Sequence, residues 1–107
     1  MPFGEVRSLT GANPPGVPTL VLPALNALTT DYTPRLDWST VSVPAGTTFH
    51  HYQVQAATDS LFTSLAINES GLTDINASEF TPVSDLAANT KFYWRVRAYN
   101  DAGQYSL

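Results

Sequence analysis

Apolar and polar residues alternate with a period of two along two stretches of the chain. From Phe49 to Thr58, His50, Tyr52, Val54 and Ala56 fall on one side and His51, Gln53, Gln55 and Ala57 on the other. From Phe92, the residues Phe92, Trp94, Val96 and Ala98 alternate with Tyr93, Arg95, Arg97 and Tyr99. Each pattern predicts a strand with one buried and one wet face. Shorter strands are predicted at Thr19 to Leu22, stopped by Pro23, at Arg35 to Ser39, at Phe62 to Asn68 and at Ile75 to Phe80. Asn68-Glu69-Ser70-Gly71 reads as the end of one strand, and Asn100-Asp101-Ala102-Gly103 as the turn after the last. Eight prolines and six glycines divide the chain into pieces of strand length. No piece carries an apolar 3.6 period over three turns, so the expected class is an all-β sandwich.

The chain has 107 residues, enough for one small domain. Nine acidic and five basic side chains leave a net charge of −4, which argues against nucleic acid. The absence of cysteine removes disulfides, thiolate metal sites and thiol nucleophiles. No apolar run approaches the roughly 20 residues that span a bilayer as a helix, so no membrane insertion is expected. No signal peptide follows Met1, which fits a piece excised from a longer chain.

Catalytic chemistry finds no support. The carboxylates are spread over turns and outward positions, where a glycosidase needs two facing each other across a cleft. His50 and His51 are adjacent, so on a regular strand they point to opposite sides and cannot jointly hold an ion. His51 is then a surface residue and His50 sits at the rim of the core. The turns at Asp59 and Asp101 read as caps, and no phosphate loop or nucleophile elbow is present. No catalytic residue, metal or cofactor is expected. Asn68-Glu69-Ser70 and Asn76-Ala77-Ser78 match the glycosylation triplet but read as turns.

Leu86-Ala87-Ala88-Asn89-Thr90-Lys91-Phe92-Tyr93-Trp94-Arg95-Val96-Arg97-Ala98-Tyr99-Asn100 resembles the E–F corner and strand F of fibronectin type III domains. Trp38 fits that family's strand B tryptophan, and Tyr52 to Ser60 its strand C and following turn. The wording is closest to bacterial modules repeated in surface proteins and found beside the catalytic domains of secreted polysaccharide-degrading enzymes. The resemblance implies a fibronectin type III or immunoglobulin-like β-sandwich over residues 14–107. Its core would be Leu20, Leu36, Trp38, Tyr52, Val54, Phe80, Leu86, Phe92, Trp94 and Val96. It also implies a non-catalytic spacer or protein-interaction module, extracellular or at the cell surface, whose partners are neighbouring domains or other copies of itself. The family usually has tyrosine where Phe92 stands, so the hydroxyl bond across the corner is lost, at a cost of about 0.5–1.5 kcal/mol.

The chain stops where the family's final strand G should begin, so strand G is expected to be missing at the C-terminus. Residues 1–13, by contrast, resemble strand G of a preceding repeat, with Phe3, Val6 and Leu9 as its apolar positions. Three readings stay open: a strand filling its own domain's gap, for which the Gly11 to Pro18 linker is barely long enough; a strand donated to a neighbour, giving a strand-exchanged dimer or a head-to-tail chain; or a disordered tail. The remaining candidate surface is the outer face of strands C and F, with His51, Gln53 and Gln55 beside Tyr93, Arg95, Arg97 and Tyr99. Aromatic, arginine and glutamine side chains serve both protein interfaces and sugar platforms, so polysaccharide binding there is the alternative function. Ordinary cross-strand pairing explains the same composition.

Overall fold

The computed structural model describes residues 13–106. They contain six strands and no helix: β1 (Leu20–Leu22), β2 (Leu36–Trp38), β3 (Phe49–Ala57), β4 (Leu65–Leu72), β5 (Glu79–Phe80) and β6 (Tyr93–Asn100). Two antiparallel sheets, ordered β1-β2-β5 and β4-β3-β6, pack face to face. The expected all-β sandwich is what the chain forms.

β3 is the centre of the larger sheet because its alternation is the cleanest in the chain. Tyr52, Val54 and Ala56 turn inward to meet Leu36, Trp38, Ile67, Val96 and Ala98 in one buried cluster. Phe49, Phe80, Leu86 and Trp94 pack around it, partly buried. Trp38 meets Tyr52 edge-on with ring centres 5.4 Å apart, and Phe49 tilts against Tyr52 at 4.6 Å. The Tyr52 hydroxyl donates to the Ile75 carbonyl at 2.7 Å, so a hydroxyl within the core does bind backbone, from β3 rather than from the E–F corner.

Four expectations need correction. Leu20 is not core: Leu20, Val21 and Leu22 are each 43–50% exposed, because β1 is an edge strand that nothing described covers. Ala57, expected on the wet face, is buried, since it lies between Leu65 of β4 and Tyr93 of β6 and is small enough for them to cover. β4 starts later than expected and runs on through Asn68-Glu69-Ser70-Gly71. An edge strand tolerates that polar stretch, and the register shift between the Tyr52–Leu72 and Val54–Glu69 pairs absorbs an extra residue as a bulge. Ile75 to Ser78 is not strand but turn: Asp74 accepts the Asn76 amide on its side chain at 2.9 Å and the Ala77 amide on its carbonyl at 3.0 Å.

Phe92 is only half-buried and precedes β6. It lines a hollow of ≈ 360 Å³ between β4 and the β5 side, together with Ile67, Phe80 and Leu86. Glu69 and Asp85 both line the hollow. Glu69 Oε1 is engaged by its own strand, accepting from the Gly71 amide at 2.7 Å.

The turn after β3 is held by one carboxylate. Asp59 accepts from the Thr63 hydroxyl and from the Thr63 and Ser64 amides. The Thr63 hydroxyl, then the two amides, hold its carboxyl below the ordinary value of 3.8. A depressed folded-state pKa contributes stability that is present above the unfolded pKa and lost as pH falls through the folded one. Asp59→Ala is therefore expected to weaken the fold in urea titrations at neutral pH. The difference from the parent should shrink well below pH 3.8, where the Asp59 carboxyl is protonated and the charge-dependent part of its contribution is lost.

Candidate functional site

The outer face of β3 and β6 gathers the predicted surface residues. Register pairs Gln53 with Arg97, Gln55 with Arg95 and His51 with Tyr99 across the two strands. Period-two geometry therefore brings His51, Gln53, Gln55, Arg95, Arg97 and Tyr99 to one face, and Tyr93 sits at its end beside Ala57.

That face is densely self-bonded. Arg95 Nε donates to Gln55 Oε1 at 2.9 Å, and the Tyr99 hydroxyl donates to Gln53 Oε1 at 3.1 Å. Both glutamine amides donate to Asn68 Oδ1 on β4, at 3.0 and 3.3 Å. The Arg95 guanidinium lies 4.0 Å over the Phe62 ring and that of Arg97 4.3 Å over the Tyr105 ring. Lys91 covers Tyr93 at 5.1 Å. Phe62 and Tyr105 are the contributions sequence reasoning missed. Phe62 adopts a left-handed backbone, φ 58°, in the β3–β4 turn, and Tyr105 lies beyond the last predicted strand.

His50 and His51 do not point apart. Between the pairs Phe49–Asn100 and His51–Tyr99 the register shifts, so His50 is the extra residue of a bulge. The alternation breaks there, and the two Nδ1 atoms come within 2.8 Å on the same side. His51 stacks on Tyr99 with ring centres 4.3 Å apart and planes 12° apart, while His50 is exposed rather than at the rim of the core. Burial, and then the neighbouring His50, push the His51 pKa down. Among the described residues no group of three or more histidine or carboxylate side chains could hold a metal ion.

The third feature is the end of β6. Asn100 is buried, and its side chain makes four bonds. Oδ1 accepts from the Ala102 and Gln104 amides at 3.1 and 2.9 Å; Nδ2 donates to Gln104 Oε1 at 2.9 Å and to the Asn13 carbonyl at 3.3 Å. The Asn13 amide in turn donates to Gln104 Oε1 at 3.2 Å. Gly103, at φ 79°, supplies the left-handed residue that closes this turn. Gln104 to Ser106 then double back along β6. Tyr105 bridges Tyr99, the Ser106 amide donates to the Ala98 carbonyl, and the Ala98 amide donates to Ser106 Oγ, both at 2.9 Å. Phe3, Val6 and Leu9, the candidate donated strand, lie outside the described residues.

Residues 24–107 match the family model described as Rha78A-like, N-terminal immunoglobulin domain. The chain belongs to that family. It is thus an immunoglobulin-like module, a non-catalytic domain type that its family description places at the N-terminus of a larger protein. No curated protein and no solved structure compared with this immunoglobulin-like chain matches it.

Proposed function

We propose that this domain is a spacer or protein-interaction module of an extracellular or cell-surface protein, and that it self-associates by accepting a strand along the outer edge of β6. One observation carries the proposal. Among the described residues, β3 pairs with β6 along its whole length, but the opposite edge meets only Gln104 to Ser106. From Tyr93 to Arg97 that edge offers backbone donors and acceptors to an added strand. The hollow lies on the β4–β5 side of the sandwich, so β1 shares the other side with β6. An added strand would there find the exposed Leu20, Val21 and Leu22 to cover. The finer fibronectin type III assignment is supported by the fourth strand, which pairs with β3 rather than with β5.

The occupant we favour is Phe3 to Thr10 of a second copy. Tyr105 approaches Tyr99 antiparallel, so a strand continuing that direction ends at Tyr93. Seven residue steps separate Tyr93 from Asn100, about 24 Å. Asn13 is bonded at the Asn100 end, and three residues from Thr10 to Asn13 reach at most ~11 Å. The domain's own N-terminal segment cannot fill the antiparallel position while that bond holds, which favours donation between chains.

Polysaccharide binding on the β3–β6 face has less support, since its rings are already covered by Arg95, Arg97 and Lys91 and its glutamines are bonded within the face. Light scattering after gel filtration, over a concentration series, tests self-association. The expected mass rises above one chain with concentration, and deletion of residues 1–10 returns it to one chain. A parent that stays at one chain throughout overturns the proposal.

A further inference from the structure

The bulge at His50 leaves two imidazoles that neither the core nor the β6 edge uses. In a neutral pair held at 2.8 Å, one Nδ1 donates and the other accepts. The rings stand at 80° to each other, so the pair is a corner rather than a stack. His51 is held in place by its flat contact with Tyr99, whose hydroxyl is in turn tied to Gln53. His50 faces solvent, giving an ion a way in. We propose that His50 and His51 chelate a divalent copper ion through their Nδ1 atoms.

The bulge brings both Nδ1 atoms to one side at hydrogen-bond distance, 2.8 Å, and each ring must turn for the two lone pairs to converge on one ion. Two ligands in adjacent positions of a square-planar ion, with bonds of about 2.0 Å, also stand about 2.8 Å apart, so that turn requires little separation of the nitrogens. The metal is selected by the donor type rather than by the spacing. Imidazole suits copper, nickel and zinc alike, and affinity for a common nitrogen site is greatest for copper. On binding, the ring that donates through Nδ1 moves its proton to Nε2, so both Nδ1 lone pairs face the ion and no net proton is lost. Solvent completes the remaining positions. One feature assists: Asp101, whose Oδ1 accepts from the Thr48 amide at 3.1 Å, places a negative charge near His50.

The full 107-residue chain, titrated with copper(II), nickel(II) and zinc(II) salts in turn, tests this. One equivalent of copper should bind, with electron paramagnetic resonance showing imidazole nitrogen couplings, and in the order copper, nickel, zinc. His50→Gln and His51→Gln should each weaken copper at least about tenfold while leaving the circular dichroism of the fold unchanged. In amide spectra, copper should broaden resonances around His50, His51 and Tyr99. Copper affinity unchanged in both variants, broadening centred on the N-terminal residues instead, zinc bound as tightly as copper, or no copper bound would each overturn the proposal.

Discussion

Asn100→Ala is expected to destabilise the domain by about 2–4 kcal/mol, far more than an ordinary turn substitution. Asn100 is 1% exposed, and its amide serves both donor and acceptor partners. Removing it takes the partner from the Ala102 and Gln104 amides on one side and from the Asn13 carbonyl on the other; Ala102 is exposed, so the cost falls mainly on the half-buried Gln104 amide and Asn13 carbonyl. The cost of leaving buried donors and acceptors unpaired exceeds the net value of making the bonds. Asn100→Asp is the sharper test. It keeps an oxygen for the two amides but turns a second acceptor toward Gln104 Oε1 and the Asn13 carbonyl, so at neutral pH it should do no better than alanine. Urea unfolding measures both: the midpoint should fall with little change in slope. An Asn100→Asp variant as stable as the parent would show that the Nδ2 bonds contribute nothing.

Trp38→Ala should cost about 3–5 kcal/mol, enough to leave a small domain largely unfolded at physiological temperature. The indole is 1% exposed and its edge contact with Tyr52 sits at the middle of the sandwich. Trp38→Phe should cost much less than the lost ring volume suggests. Trp38 Nε1 is buried with no hydrogen-bond partner among the described residues, and burying such a donor costs about 1–3 kcal/mol. Phenylalanine removes that penalty while keeping an aromatic ring against Tyr52. A net loss of about 1–2 kcal/mol is expected, read as the difference in urea midpoints multiplied by a common slope. Equal losses for the two substitutions would mean that the indole N–H is satisfied after all.

Alternation with a period of two was enough to find β3 and β6 and their inner and outer faces, because a strand buried on one side writes that burial into every second residue. It also put Gln53 and Gln55 on the outer side of one strand and Arg95, Arg97 and Tyr99 on that of the other, while the resemblance to fibronectin type III domains made those strands neighbours. The short strands were less legible. β4 runs through Asn68-Glu69-Ser70-Gly71, since pairing with β3 overrides the turn preference of those residues at a bulged edge. Ile75 lies outside β5 despite its strand-like side chain, because Asp74 captures the next turn.

The histidines mark the limit of pattern reading. Parity sent His50 and His51 to opposite sides, and parity holds only where register is unbroken. A single extra residue between Phe49 and His51 reverses the conclusion, and nothing in the local sequence announces it. Asn100 poses the same problem in another form. As a turn residue after a strand it is ordinary, and its burial follows from Asn13 and Gln104 closing over it from distant parts of the chain.

The class of fold, the two long strands and most of the core follow from local periodicity and from which side chains avoid water, and both are written along the chain. Only tertiary packing settled where periodicity fails, which stretch of the β6 edge no described residue pairs with, and that Asn13 is bonded at the Asn100 end of β6. Those features depend on register and on contacts between residues far apart in the chain, and no local pattern of hydrophobic and polar residues encodes either.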